Sequence, residues 1–241
     1  MSRHTVRRRT EAHPGHRQLS GGLARAAVFG MSDGLTSNVL LVLGFAGSGV
    51  DSSVVRLAGI AGAVAGGVSM AAGEWISISA QNELVQRELE VERHELGANA
   101  LAEQRELAAM YEDHGMEPST AQRAAADVMR DPERALDVHA REEFGIDPSG
   151  LPLAWQAAAL SFLCFIVGAS LPVIPWLGGS GTAATVASVA IGVAAAAALG
   201  WAIGTFADRS RIRSAARQVA ILLVACVVTY SIGRALHVSV S

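Results

Sequence analysis

Glu92 and Glu95 stand three residues apart, Glu103 and Glu106 repeat that spacing, and His139 and Glu143 lie four apart. On a helix, neighbours at three and four share one face, so each pair offers two donors to one ligand. Imidazole with carboxylate suits a borderline divalent ion such as Fe²⁺, Mn²⁺, Co²⁺ or Zn²⁺, whereas Mg²⁺ or Ca²⁺ would take oxygen alone. The same spacing also fits a solvated Glu-rich surface with interleaved arginine. In one unbroken helix Glu92 and Glu103 would be about 16 Å apart, too far to grip one ion. Gly97-Ala98-Asn99 is the expected break, and a turn there would fold the two acid pairs together.

A second set of residues carries chemistry inside apolar sequence. Asp33 lies eight residues beyond Arg25, about 12 Å along a helix. A charge at that depth costs on the order of 2.5–3.5 kcal/mol, so it faces a cavity, a partner or a substrate path. Met70 is placed at a similar depth in the next apolar run, with Glu74 one turn nearer the polar end. Carboxylate beside thioether favours a transition metal over sodium or calcium, because only the former gains much from sulfur. Met70 taken alone reads more simply as packing against lipid or a neighbouring helix. Ser32, Thr36, Ser37 and Asn38 give the first run a polar face that suits water or protons.

The elements that must hold these groups are set by the apolar runs Ala26–Gly47, Val54–Ile78, Leu153–Leu171, Thr182–Ala207 and Ala216–Leu236. Each reaches the ~20 residues that a bilayer demands. Lipid offers no partner to backbone polar groups, and the runs lack barrel-type alternation, so helix is the economical choice. The expected fold is all-α: a five-helix transmembrane bundle with a helical cytoplasmic domain inserted between spans 2 and 3. Its expected parts are a disordered basic tail (1–22), spans 1 and 2 (23–82), the acidic metal-binding domain (83–150) and spans 3 to 5 (151–241).

Charge divides the chain in the same way. The stretch from Glu83 to Asp147 holds 17 acids against seven arginines, while the remainder holds 12 arginines and five acids. There is no lysine, so arginine alone sets orientation by the positive-inside rule. Arg3, Arg7, Arg8, Arg9, Arg17 and Arg25 precede the first run, and Arg209, Arg211, Arg213 and Arg217 separate the last two. Both flanks are therefore expected in the cytoplasm, with the acidic segment, and the C-terminus outside. The first run is too long for an export signal and contains Asp33, which favours an uncleaved span. Cys164 and Cys226 lie inside separate runs and suggest no disulfide framework. Gly62 and Gly66, and Gly200 and Gly204, have the spacing of helix-packing contacts. A third helical stretch in the acidic segment is expected from Pro132 to about Phe144, before Gly145.

Ser32-Asp33-Gly34-Leu35-Thr36, Ala65-Gly66-Gly67-Val68-Ser69-Met70 and Arg87-Glu88-Leu89-Glu90 together resemble the vacuolar iron transporter family over about Ala24 to Leu236. The resemblance implies five spans, a homodimer with the ion path at its interface, and proton-coupled export of ferrous and related ions from the cytosol. By position it implies an intramembrane site at Asp33 and Met70 and cytoplasmic ligands at Glu92, Glu95, Glu103, Glu106, His139 and Glu143. Eukaryotic members can carry methionine where this chain has His139. The acid that those members place in the upper half of span two falls on Gly62 here, so either Glu74 takes part of that role or the ion and proton route differs.

The expectation is thus a proton antiporter for Fe²⁺ and similar divalent metals in a prokaryotic plasma membrane. Its partners would be a second copy, the lipid bilayer, metal ions and protons, with no cofactor and no nucleic acid. A membrane-anchored metal buffer or sensor is the alternative, although a mere anchor has no use for Asp33. A ferritin-like di-iron enzyme would need two Glu-x-x-His pairs, which Glu92–Glu95 and His139–Glu143 do not supply.

Overall fold

The computed structural model describes residues 22–235. The tail expected to be disordered lies outside the described residues, apart from Gly22, where the first helix begins. Nine helices follow among the described residues, with no strand. They are α1 (Gly22–Gly47), α2 (Ser52–Ala98), α3 (Ala100–Asp113), α4 (Pro118–Val128), α5 (Pro132–Glu142), α6 (Ala154–Ser170), α7 (Ile174–Gly178), α8 (Gly181–Phe206) and α9 (Arg211–Ala235).

Five stretches are long and apolar enough to cross a membrane: α1, α2, the α6–α7 unit, α8 and α9. The third departs from a plain rod. After Ser170 the chain makes a 3₁₀ turn through Leu171–Val173 and then the short α7, where a simple connection was expected. Pro172 and Pro175 explain it, because neither can donate to the preceding turn. Trp176 anchors the bend: its indole N–H donates to the Ser188 hydroxyl at 2.9 Å, which donates to the Pro172 carbonyl at 2.6 Å. The last helix starts at Arg211, five residues before its apolar run, so Arg211, Arg213 and Arg217 lie on helix rather than loop. Arg211 stacks over Trp201 of α8, 5.7 Å from the ring centroid.

α1 sits at the centre of the bundle, touching α2, α6, α8 and α9. Its crossing with α6 is a backbone-to-backbone approach. A Cβ on Gly34 would meet the Phe165 carbonyl oxygen, and one on Gly168 would meet that of Met31. Small residues here allow the helices to close up where the hydrophobic effect gives no drive for association. Around this contact, Leu35, Val39, Leu43, Ala196, Leu222 and Cys226 form one buried cluster, and Val42, Val55, Val173, Trp176 and Ala184 form another.

The 47 residues of α2 span about 70 Å, more than twice the ~30 Å hydrocarbon core. The surplus projects as a polar arm, on which α3, α4 and α5 fold back around Leu107, Ala108, Ala125, Val128 and Ala135. The arm ends at Asn99, in the segment expected to break. Helices α4 and α5 each begin with proline and are capped by carboxylates: Glu117 accepts from the Thr120 amide at 3.0 Å and Asp131 from the Glu133 amide at 3.1 Å.

Candidate metal centre

The turn after α2 brings Glu92 and Glu103 together, and α5 lays His139 between them. Carboxylates are rarely buried, yet Glu92 is 2% exposed and Glu103 8%, with His139 wholly buried. One ligand atom from each lies within 4.8 Å of the other two. His139 Nδ1 is 3.0 Å from Glu92 Oε1, but neither atom has a hydrogen-bond partner, and nor does His139 Nε2. Buried polar atoms normally find partners. That separation suits a shared proton, and equally a shared ion once both atoms offer lone pairs: donors about 2.1 Å from a metal at right angles stand about 3.0 Å apart.

Electrostatics tell the same story. Burial pushes the Glu92 carboxyl up to about 7, helped by the charges of Glu143, Glu103, Glu95 and Glu106. Burial, then Glu106 and Glu95, raises Glu103. Glu143 is raised by burial and by Glu106 and Glu103, with a hydrogen bond to Glu92 holding it back. Burial lowers His139, which keeps the imidazole neutral with a lone pair to offer. A divalent cation would offset the repulsion among these carboxylates; no arginine is among the causes of the shifts of Glu92, Glu103 and Glu143.

The six residues singled out in the sequence do not contribute alike. Glu92, Glu103 and His139 form the buried core, whereas Glu95, Glu106 and Glu143 are exposed at its edge. After the fold-back only one member of each Glu pair faces His139. Glu95 and Glu106 act at charge-charge range, as the shifts of Glu92 and Glu103 record, whereas Glu143 reaches Glu92 by a hydrogen bond.

A second centre lies about 33 Å back along α2, the rise from Glu92 to Met70. Asp33, Ser37, Asn38, Gly62, Gly66, Ser69 and Met70 line a cleft of about 390 Å³, closed on one side by Phe165 of α6. Asp33 and Met70 thus face a common space. Glu74 stands outside that lining and pairs with Arg25 at 3.1 Å. Ser69, beside Met70 in sequence, was given no role from its residue type, and the Arg25–Glu74 contact joins residues 49 positions apart that no local pattern connects.

A model of the VIT family matches residues 24–234, nearly all of the described chain. The chain belongs to the VIT family. Similar proteins include vacuolar iron transporter 1 of Oryza sativa subsp. japonica, 29% identical over 227 residues, covering 93% of this chain and 90% of that one. Vacuolar iron transporter 1 of Arabidopsis thaliana is 31% identical over 197 residues, covering 81% and 79%. That of Eucalyptus grandis is 28% identical over 219 residues, covering 90% and 88%. The matched region takes in both the Asp33 cleft and the Glu92–Glu103–His139 cluster, so both belong to the VIT portion of the chain. These relatives are named as transporters, and VIT membership places this chain among transporters rather than enzymes.

Proposed function

We propose that this protein exports Fe²⁺, and related ions such as Mn²⁺, Co²⁺ or Zn²⁺, from the cytoplasm in exchange for protons, as a homodimer in the plasma membrane. The observation that carries this reading is a single helix, α2, that contributes to two separated anionic centres. Glu92, Glu103 and His139 make one; Met70, facing Asp33 inside the apolar bundle, makes the other. The relatives' names supply the substrate class.

The chemistry of exchange follows from competition for the same oxygens. A carboxyl held at about 7 carries a proton half the time near neutrality, so a metal that binds Glu92 must release it. Glu95, Glu106 and Glu143 at the edge raise the local cation concentration. Glu74, one turn from Met70, would hand the ion toward Asp33 once released from Arg25. At Asp33 the ion and an incoming proton compete again, and protonation frees the ion.

The homodimer reading rests on exposure. Asp33, Ser37 and Ser69 are exposed in the single chain although they sit at membrane depth, and Phe29 and Val68 beside them are exposed too. A charged group left against lipid there would be costly; a second copy over this face would close the cleft.

Proteoliposomes loaded with a pH indicator and given Fe²⁺ or Mn²⁺, with and without a proton gradient, test the proposal. The transporter reading expects gradient-dependent metal flux with proton counterflow. The buffer or sensor reading expects binding to the Glu92 cluster and no flux.

A further inference from the structure

Asn38 is the one side chain of the intramembrane cleft that is both fully enclosed and incompletely satisfied. It is 2% exposed, yet its Oδ1 has no hydrogen-bond partner. Its Nδ2 donates to the Gly59 carbonyl of α2 at 3.0 Å and to the Ala169 carbonyl of α6 at 2.6 Å. Flipping the amide would set its oxygen against two acceptor oxygens, so the orientation is fixed with Oδ1 turned away from both. That oxygen lies 3.0 Å from where a Cβ on Gly62 would stand, and both residues line the cleft with Asp33 and Met70. Nothing but the end of the Leu41 side chain fills the space that a Gly62 side chain would take, so a swing of Leu41 would open this enclosed, locked oxygen to the cleft.

We propose that Asn38 is a specificity-determining residue of the intramembrane site: its amide oxygen, oriented by the bonds to Gly59 and Ala169 and reached past Gly62 when the end of the Leu41 side chain moves aside, coordinates a divalent cation in the Asp33–Met70 cleft. This rests on the transport reading above. Asn38 lies five residues beyond Asp33, about 7.5 Å farther along α1, so it extends the ligand path past the carboxylate. An amide oxygen is hard and neutral. It favours Mn²⁺ over a soft ion such as Cd²⁺, which draws more from the Met70 sulfur. It also stays unprotonated, and so holds an ion without competing for the proton that Asp33 takes.

The ratio of Mn²⁺ to Cd²⁺ flux in proteoliposomes tests this, because a residue that merely clamps three helices would affect both ions equally. Asn38→Ala is expected to lower the ratio about tenfold. Gly62→Ala keeps both Asn38 donor bonds and sets a methyl group against Oδ1, displacing only the end of the Leu41 side chain; it is expected to lower the ratio in the same direction. If Asn38→Ala fails to fold, Gly62→Ala decides alone. An unchanged ratio in a protein that still carries both ions overturns the role of Asn38 and leaves transport standing. Equal loss of both ions also overturns it. A wild-type protein that moves neither ion overturns the transport reading and this inference with it.

Discussion

Replacing Glu92 with glutamine keeps the size of the buried side chain and removes its charge, and its effect on the polar lobe is expected to reverse sign with metal. In the metal-free protein the Glu92 carboxyl titrates at about 7 against an ordinary 4.5. A raised carboxyl favours the folded state while protonated, so its contribution is full below about 4.5, declines as pH rises and is gone above about 7. The shift corresponds to on the order of 3 kcal/mol between those limits. At pH 8 in EDTA, Glu92→Gln should therefore make the lobe more stable than wild type by up to that amount, and the gain should shrink toward zero at pH 4.5. Hydrogen–deuterium exchange of peptides from α3 to α5, compared at equal pH, would read this as up to about a hundredfold slower exchange. With saturating Mn²⁺ the order inverts, because wild type gains binding energy that the variant has lost. The reasoning is refuted if Glu92→Gln loosens the lobe at pH 8 in EDTA, or if Mn²⁺ protects both proteins alike.

Removing the imidazole with His139→Ala should lower Co²⁺ affinity of the solubilised protein about tenfold or more, while His139→Met, which restores a soft ligand, should fall between; calorimetric titration measures both. Glu74→Gln should raise the half-saturating metal concentration a few-fold without changing protons moved per ion, because Glu74 flanks the cleft rather than lining it. Gly34→Ala drives a Cβ into the Phe165 backbone and should cost about 1–3 kcal/mol, seen as a lower unfolding temperature in detergent by tryptophan fluorescence.

The apolar runs made the five membrane helices legible because bilayer thickness imposes a length that composition alone reveals. The break near Gly97 was legible too, since good helix formers on both sides are interrupted by glycine and asparagine. Helix α4 was not identified, although Glu117 caps it, Pro118 opens it and Ala121, Ala125 and Val128 mark its buried face; that stripe of small side chains was passed over. The bend at Pro172 and Pro175 was read as a connection because the two prolines interrupt the helical pattern, and the short turn and helix they start are too brief to show a period. For the candidate metal centre, spacing named the helices that the fold brings together but left open which carboxylate of each pair points inward. That is decided by how far α3 rotates on folding back, a tertiary quantity. The orphaned oxygen of Asn38 was beyond sequence altogether: its freedom depends on two carbonyls, one on each of two other helices.

The most direct test of the central claim, that metal and protons compete for an intramembrane carboxylate, is the acidity change that accompanies metal movement in proteoliposomes carrying wild type or Asp33→Asn. The account predicts coupled metal and proton counterflow with wild type and neither above protein-free vesicles with the variant. Proton counterflow in Asp33→Asn equal to that of wild type would contradict it.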